Sequence, residues 1–327
     1  MLLVGSDDGV HAVTDIQSSN PDVAQVQEGG QVMRVETVDA VDGVLAATTT
    51  GLYYSLDGSE WIDLDVPAGE VYSVGASTDR LYAGTRPARL YAADLPPNGG
   101  LGEDVVWQEL DAFTALDDRD DWGTDRHDGV AQVRDVRAST GVSDRLVVAV
   151  EVGGVYVSND SGETWKDRRV TGFDAPHLDD VHHIEVAGSD VWIAATGSGL
   201  YRTTDAGQSW TRLDAGHRQT YFRESLAHDD HLYAGGSPSP PGGWLNDRDH
   251  ALFESVDGNT FRSVTSPTPS EVAVGWCTHG SDAYAVTNRG TLLRKCGEDG
   301  TWETVGNVPV AESVHGRTQP LVWFADN

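Results

Sequence analysis

The sequence predicts an all-β protein assembled from repeated strand–turn–strand units. Three observations predict it. First, a turn motif recurs: Ser158-Asn-Asp-Ser-Gly-Glu-Thr-Trp165 returns as Thr203-Thr-Asp-Ala-Gly-Gln-Ser-Trp210. One residue shorter, it appears as Ser55-Leu-Asp-Gly-Ser-Glu-Trp61 and Ser255-Val-Asp-Gly-Asn-Thr-Phe261. Second, a short Gly-led strand precedes three of these turns, as in Gly51-Leu-Tyr-Tyr-Ser55, Gly154-Val-Tyr-Val-Ser158 and Gly199-Leu-Tyr-Arg-Thr203. Third, another short strand with its own signature recurs upstream, as in Leu81-Tyr-Ala-Gly and Leu232-Tyr-Ala-Gly. Internal repetition of this kind fixes architecture before any local detail does.

The turn motif has a local physical basis. Its Asp (Asp57, Asp160, Asp205, Asp257) can accept backbone N–H groups. Its Gly (Gly58, Gly162, Gly207, Gly258) can take a positive φ. A hydroxyl residue opens it (Ser55, Ser158, Thr203, Ser255), and the closing aromatic (Trp61, Trp165, Trp210, Phe261) starts a new strand and buries apolar surface. The pattern of hydroxyl, any, Asp, any, Gly, any, hydroxyl, aromatic resembles the Asp-box, or BNR, repeat of sialidases, sortilin-type receptor domains and photosystem assembly factors. Lys295-Cys-Gly-Glu-Asp-Gly-Thr-Trp302 is a degenerate copy. The resemblance implies a β-propeller and leaves the function open, because this fold hosts many.

In such propellers each blade has four antiparallel strands, inner to outer. Seven pairs of second and third strands can be read along the chain. They are 2–4 with 10–13, 44–47 with 52–54, 81–83 with 89–92, 146–150 with 155–157, 191–194 with 200–202, 232–234 with 251–254, and 283–286 with 291–294. Inner strands precede six of them, at 32–38, 71–75, 130–138, 181–187, 221–227 and 272–278. The chain begins on a second strand, so its first blade lacks an inner strand. Residues of about 313–327 can supply it and close the ring, which hides sheet edges. The expectation is a seven-bladed propeller over residues 1–327 as one domain, with six blades and one split repeat as the alternative.

The chain carries 22 Lys and Arg against 52 Asp and Glu, a net charge of -30, and its only lysines are Lys166 and Lys295. The acid is spread along the whole length. That distribution points to a halophilic, archaeal type of protein in a cytoplasm of high salt, where about 1 M salt shrinks the Debye length to roughly 3 Å. It argues against nucleic-acid binding, which needs clustered Lys and Arg. No basic leader and no 18-residue apolar run is present, so a soluble, cytoplasmic monomer without membrane attachment is expected. Cys277 and Cys296 fall on the first and third strands of one blade, too far apart for a disulfide.

Four long irregular segments map to one face of the disc, opposite the repeated turns: 111–129, 172–180, 214–220 and 235–250. Long loops of this kind usually carry function. They concentrate six of the 11 histidines: His127, His177, His182, His183, His217 and His250. With Arg126, Tyr221 and Arg223 these are the candidate ligand-binding residues. His177, Asp180, His182 and His217 are candidates for a divalent metal. The expectation is that His177, His182, His183 and His217 meet at the mouth of the central channel and bind a small anion, a metal-bridged ligand or a protein partner. Two alternatives stand beside this. One is a metal-dependent enzyme that uses the loop histidines. The other, implied by the resemblance to sialidases, is a glycoside hydrolase or lyase, with Arg134, Arg223 and Arg317 in the place of the family's carboxylate-holding arginines and Tyr221 with Glu224 in that of its nucleophile pair. The Arg-Ile-Pro motif of sialidases is missing; the nearest arginine to its place is Arg34 in Met33-Arg-Val-Glu36.

Overall fold

A computed structural model describes residues 1–16, 21–97, 99–102, 104–123, 125, 128–139, 141–246, 248–297, 300–308 and 318–324. It contains seven four-stranded antiparallel sheets, which are the seven blades; the six-bladed alternative is not what forms. Blade 1 runs, inner to outer, through Leu321–Trp323, Leu2–Gly5, Gly9–Thr14 and Asp22–Glu28. The remaining blades follow in chain order. Their inner strands are Val32–Glu36 (blade 2), Glu70–Ala76 (3), Gln132–Ala138 (4), Val181–Val186 (5), Tyr221–His228 (6) and Ala273–His279 (7). The C-terminal strand closes the ring by pairing Leu2 with Trp323, Leu3 with Val322 and Val4 with Leu321. It touches the inner strands of both blade 7 and blade 2.

Strand alternation explains the core. Leu2 and Val4 face blade 7, while Leu3 faces blade 2. Val147 and Ala149 face blade 5, and Leu146, Val148 and Val150 face blade 3. Each blade thus offers two apolar faces, and one apolar cluster fills each of the seven interfaces.

The repeated turns are clamps between blades. In blade 4, Asp160 Oδ1 accepts from the Ser158 hydroxyl at 2.7 Å and from Thr164 N at 2.8 Å, and Oδ2 accepts from the Thr164 hydroxyl at 2.6 Å. The blade 5 turn repeats this with Thr203, Asp205 and Ser209. Gly162 has φ +98°, and a Cβ there would lie 2.6 Å from Leu110 of the preceding blade. The closing aromatics Trp61, Trp165, Trp210 and Phe261 pack into the interface with the blade before, as does Trp302 of the degenerate copy. Cys277 is buried, Cys296 exposed, and both are free.

One irregularity positions the site. Every inner strand from blade 2 to blade 7 has a register shift near its start, around Met33, Tyr72, Arg134, His182, Arg223 with Glu224, and Val274. A bulge lets neighbouring residues escape strict alternation. Consecutive polar pairs such as Arg134 and Asp135, His182 and His183, and Arg223 and Glu224 are therefore buried together along the channel.

Candidate functional site

The bulges divide the channel lining into two tiers. Residues before the bulge or at its first position sit toward the face of the long loops. Residues after it sit toward the face of the repeated turns.

The tier near the turn face is an ion-pair plug. Arg34 of blade 2 donates to Glu224 of blade 6 at 2.8 Å and lies 3.8 Å from Asp135 of blade 4. Arg137 of blade 4 binds Asp135 at 3.0 Å and also pairs with Glu36 of blade 2. His183 Nε2 lies 3.6 Å from Asp135. The Arg34–Glu224, Arg34–Asp135 and Arg137–Glu36 pairs tie non-adjacent blades together. Burial works to raise Asp135, but Arg137 and Arg34 hold it down to about 2. Burial pushes Glu185 up to about 7 against the pull of Arg137. Burial also raises Glu36 and Glu224, and it drives His183 well below the ordinary imidazole value. Below the plug a cavity of about 440 Å³ opens, walled by Glu185, Trp276 and Trp323 among others.

The tier near the loop face is a second network. Arg134 Nη2 and Arg223 Nη2 both reach the Thr318 hydroxyl, at 3.4 and 2.9 Å. Arg134 Nε lies 3.3 Å from Glu151, whose Oε2 also accepts from Gln132 at 2.8 Å. Arg223 Nη1 donates to the Tyr221 hydroxyl at 3.2 Å, and that hydroxyl lies 3.3 Å from His182 Nε2. His182 Nδ1 lies 2.6 Å from the Phe222 carbonyl, and Nε2 lies 3.4 Å from Asp180 Oδ1. All of these side chains are buried. Burial lowers the Arg134 value, and the like charge of Arg223 lowers it further. Trp244, fully buried, anchors the loop of blade 6 over Tyr221 at 6.0 Å between ring centroids, with its Nε1 bonded to Ser239 O.

The four histidines expected to converge do not. His182 alone joins Tyr221 and Arg223 at the loop-face tier. His183 follows the bulge and turns to Asp135 and Arg137 in the other tier. His217 packs edge-on against Phe253 at 4.8 Å, toward the outside of blade 6, because its loop lies over the blade and not the axis. His177 sits exposed in the loop at φ 56°. His250 is buried against the Trp244 carbonyl within its own loop. Arg126, His127 and Arg317 lie outside the described residues. The expected Tyr221–Glu224 pair does not form either. The Tyr221 hydroxyl is taken by His182 and Arg223, and Glu224 is taken by Arg34 beyond the bulge. Sequence reading missed Arg34, Glu36, Gln132, Asp135, Arg137, Glu151 and Thr318 as channel residues. Their signal was charge inside otherwise apolar inner strands, as in Val32-Met-Arg-Val-Glu36 and Val133-Arg-Asp-Val-Arg137.

No family model and no curated protein matches the chain. Solved propellers do match it. The chain aligns over 84% of its length with 45% of the GH74 enzyme of Niastella koreensis, at TM-score 0.61 and 14% identity. It aligns over 87% with 83% of YCF48 bound to a D1 peptide, at TM-score 0.56 and 15% identity. It aligns over 84% with 33% of the extracellular domain of a one-component system from B. thetaiotaomicron, at TM-score 0.56 and 14% identity. The chain spans less than half the length of that GH74 enzyme. At such identities the likeness shows the propeller fold alone. Among the described residues no helix is long and apolar enough to cross a membrane.

Proposed function

We propose that this propeller is a binding protein that takes a small anionic ligand, bearing a carboxylate or phosphate, at the loop-face mouth of its channel. One observation carries the reading. Arg134 and Arg223 reach the same hydroxyl of Thr318, and Arg223 has no carboxylate within 4.0 Å among the described residues. Glu151 and Asp180 act on Arg223 only from farther off. A buried charge without a close counter-ion is costly, and an anion between the two guanidiniums would relieve it. Tyr221 and His182 supply polar contacts beside it. An acidic group of a protein partner is the larger form of the same ligand, and the peptide bound by YCF48 supports that version. The separation of Tyr221 from Glu224 favours binding over the glycosidase reading. The same proposal takes the four turns as Asp-box repeats and the acidity as adaptation to high salt.

The test is calorimetric titration with phosphate, citrate and sugar acids in concentrated KCl. Arg223→Gln keeps a donor for Thr318 but removes the charge. Loss of a charge-assisted hydrogen bond, about 1.5–3 kcal/mol, weakens a true ligand roughly 10-fold or more. Equal affinity in wild type and variant, or no binding by any member of the panel, refutes the proposal.

A further inference from the structure

We infer that Glu151, Asp180 and His182 form a binding site for a divalent ion of the Mn²⁺ class at the loop-face end of the channel. One ligand atom from each of the three lies within 4.8 Å of the other two, and the residues are 5%, 1% and 1% exposed. They come from separate positions: the end of the second strand of blade 4, the residue before the inner strand of blade 5, and the bulge within that strand.

The imidazole is prepared for the role. A carbonyl oxygen only accepts, so the 2.6 Å contact to Phe222 O puts the proton on Nδ1 of His182. That leaves the Nε2 lone pair turned toward Asp180 and Tyr221. An outer hydrogen bond from the far ring nitrogen to a backbone carbonyl is how proteins orient metal-binding histidines. Glu151 is braced in the same manner by Gln132 and Arg134 on its Oε2. The spacing also fits. An octahedral ion with bonds of about 2.1 Å holds adjacent ligands about 3.0 Å apart, and the 3.4 Å between His182 Nε2 and Asp180 Oδ1 is wider than that by only a few tenths of an ångström. The Glu151 ligand atom, within 4.8 Å of the other two, closes on them by a side-chain rotation. Two carboxylates and one imidazole make an oxygen-rich set of intermediate softness, which suits Mn²⁺.

Glu151 and Asp180 bring two carboxylates to the ion, which match the charge of a divalent cation. With His182 Nε2 on the ion, the Tyr221 hydroxyl loses its acceptor and its proton turns toward the mouth. The inference goes beyond the anion proposal and does not rest on it, because the ion is tested alone.

The chain carries 52 carboxylate residues, so counting bound metal is insufficient. The experiment adds one equivalent of Mn²⁺ to the full chain in concentrated KCl and records electron-spin-echo modulation. The expected result is modulation from a single imidazole nitrogen in the wild type. His182→Gln abolishes it and weakens Mn²⁺ binding by at least about 10-fold, with the circular dichroism unchanged, whereas His217→Gln leaves both intact. Bound Mn²⁺ without nitrogen modulation in the wild type means surface carboxylates only and overturns the inference, whatever the variants do. Modulation that survives His182→Gln overturns it as well.

Discussion

Replacing Trp165 with Ala tests whether the repeated turns hold neighbouring blades together. The Trp165 ring meets Phe113 with centroids 5.1 Å apart at 66°, and its Nε1 donates to Gly162 O at 3.0 Å. Phe113 is fully buried and also touches Trp122 and Tyr156. Truncation of a buried Trp costs about 3–5 kcal/mol; Trp165 is half-buried, so the low end, about 3 kcal/mol, applies. With an unfolding entropy of about 2.1 cal/mol/K per residue, the chain of 327 residues has about 0.7 kcal/mol/K in total. The midpoint therefore falls by about 4 °C. Phe113→Ala and the double variant complete a cycle, in which the edge-to-face pair shows as a coupling of about 1 kcal/mol. Calorimetric melts in concentrated KCl measure all four proteins. An unchanged Trp165→Ala melt, or strict additivity in the cycle, would show the turn aromatics to be surface decoration.

Three further outcomes are expected. Diluting KCl from about 2 M to about 0.1 M lengthens the Debye length from near 3 Å to about 10 Å and unfolds or aggregates a chain of net charge -30; a flat circular-dichroism titration counts against salt adaptation. Glu185 has a folded value of about 7 against an ordinary 4.5, so its protonated form favours the fold. That contribution is complete below the unfolded value and is lost as pH rises through about 7; Glu185→Gln should flatten the corresponding fall in melting temperature. Gly162→Ala meets Leu110 at 2.6 Å, whereas Gly172→Ala, also at positive φ, meets nothing within 4 Å. The first should be the more destabilising by about 1–3 kcal/mol of overpacking, and equal denaturation midpoints would remove the clamp from the account.

The fold was legible because its signals are local. An Asp, a Gly and an aromatic at fixed offsets specify a turn, and Leu81-Tyr-Ala-Gly and its relatives specify the strand before it. All seven pairs of middle strands lie where those signals put them. The outermost strands were less legible, since pieces such as Lys166–Asp167 and Thr211–Arg212 are two residues long and have no buried residue. The site was legible only in part. Tyr221, Arg223, His182 and Asp180 do meet, each at the start of an inner strand or just before it. Counting histidines in loops misled, because a loop over a blade carries His217 away from the axis. The bulges carry no sequence mark of their own, so alternation assigned neighbouring residues to opposite blade faces. Glu151 was hidden for another reason: it ends a strand of apolar residues, Leu146-Val-Val-Ala-Val-Glu151, and only the ring brings it to Asp180.

The charges along the axis are not a requirement of this fold. The paired residue just past the bulge is Arg34 in blade 2, Asp135 in blade 4 and His183 in blade 5. At the equivalent positions blade 3 has Ser73, blade 6 has Ser225 and blade 7 has Gly275. A small residue therefore serves the same backbone geometry at half of the sites. Buried ion pairs are weak contributors to stability, because desolvation offsets most of their attraction. Among the described residues Arg34 Nε and His183 Nδ1 have no hydrogen-bond partner, so the plug is not a fully satisfied network of those residues. Arginine, aspartate and histidine at this position of blades 2, 4 and 5, where a small residue serves in blades 3, 6 and 7, are therefore side chains that the blade geometry itself does not require.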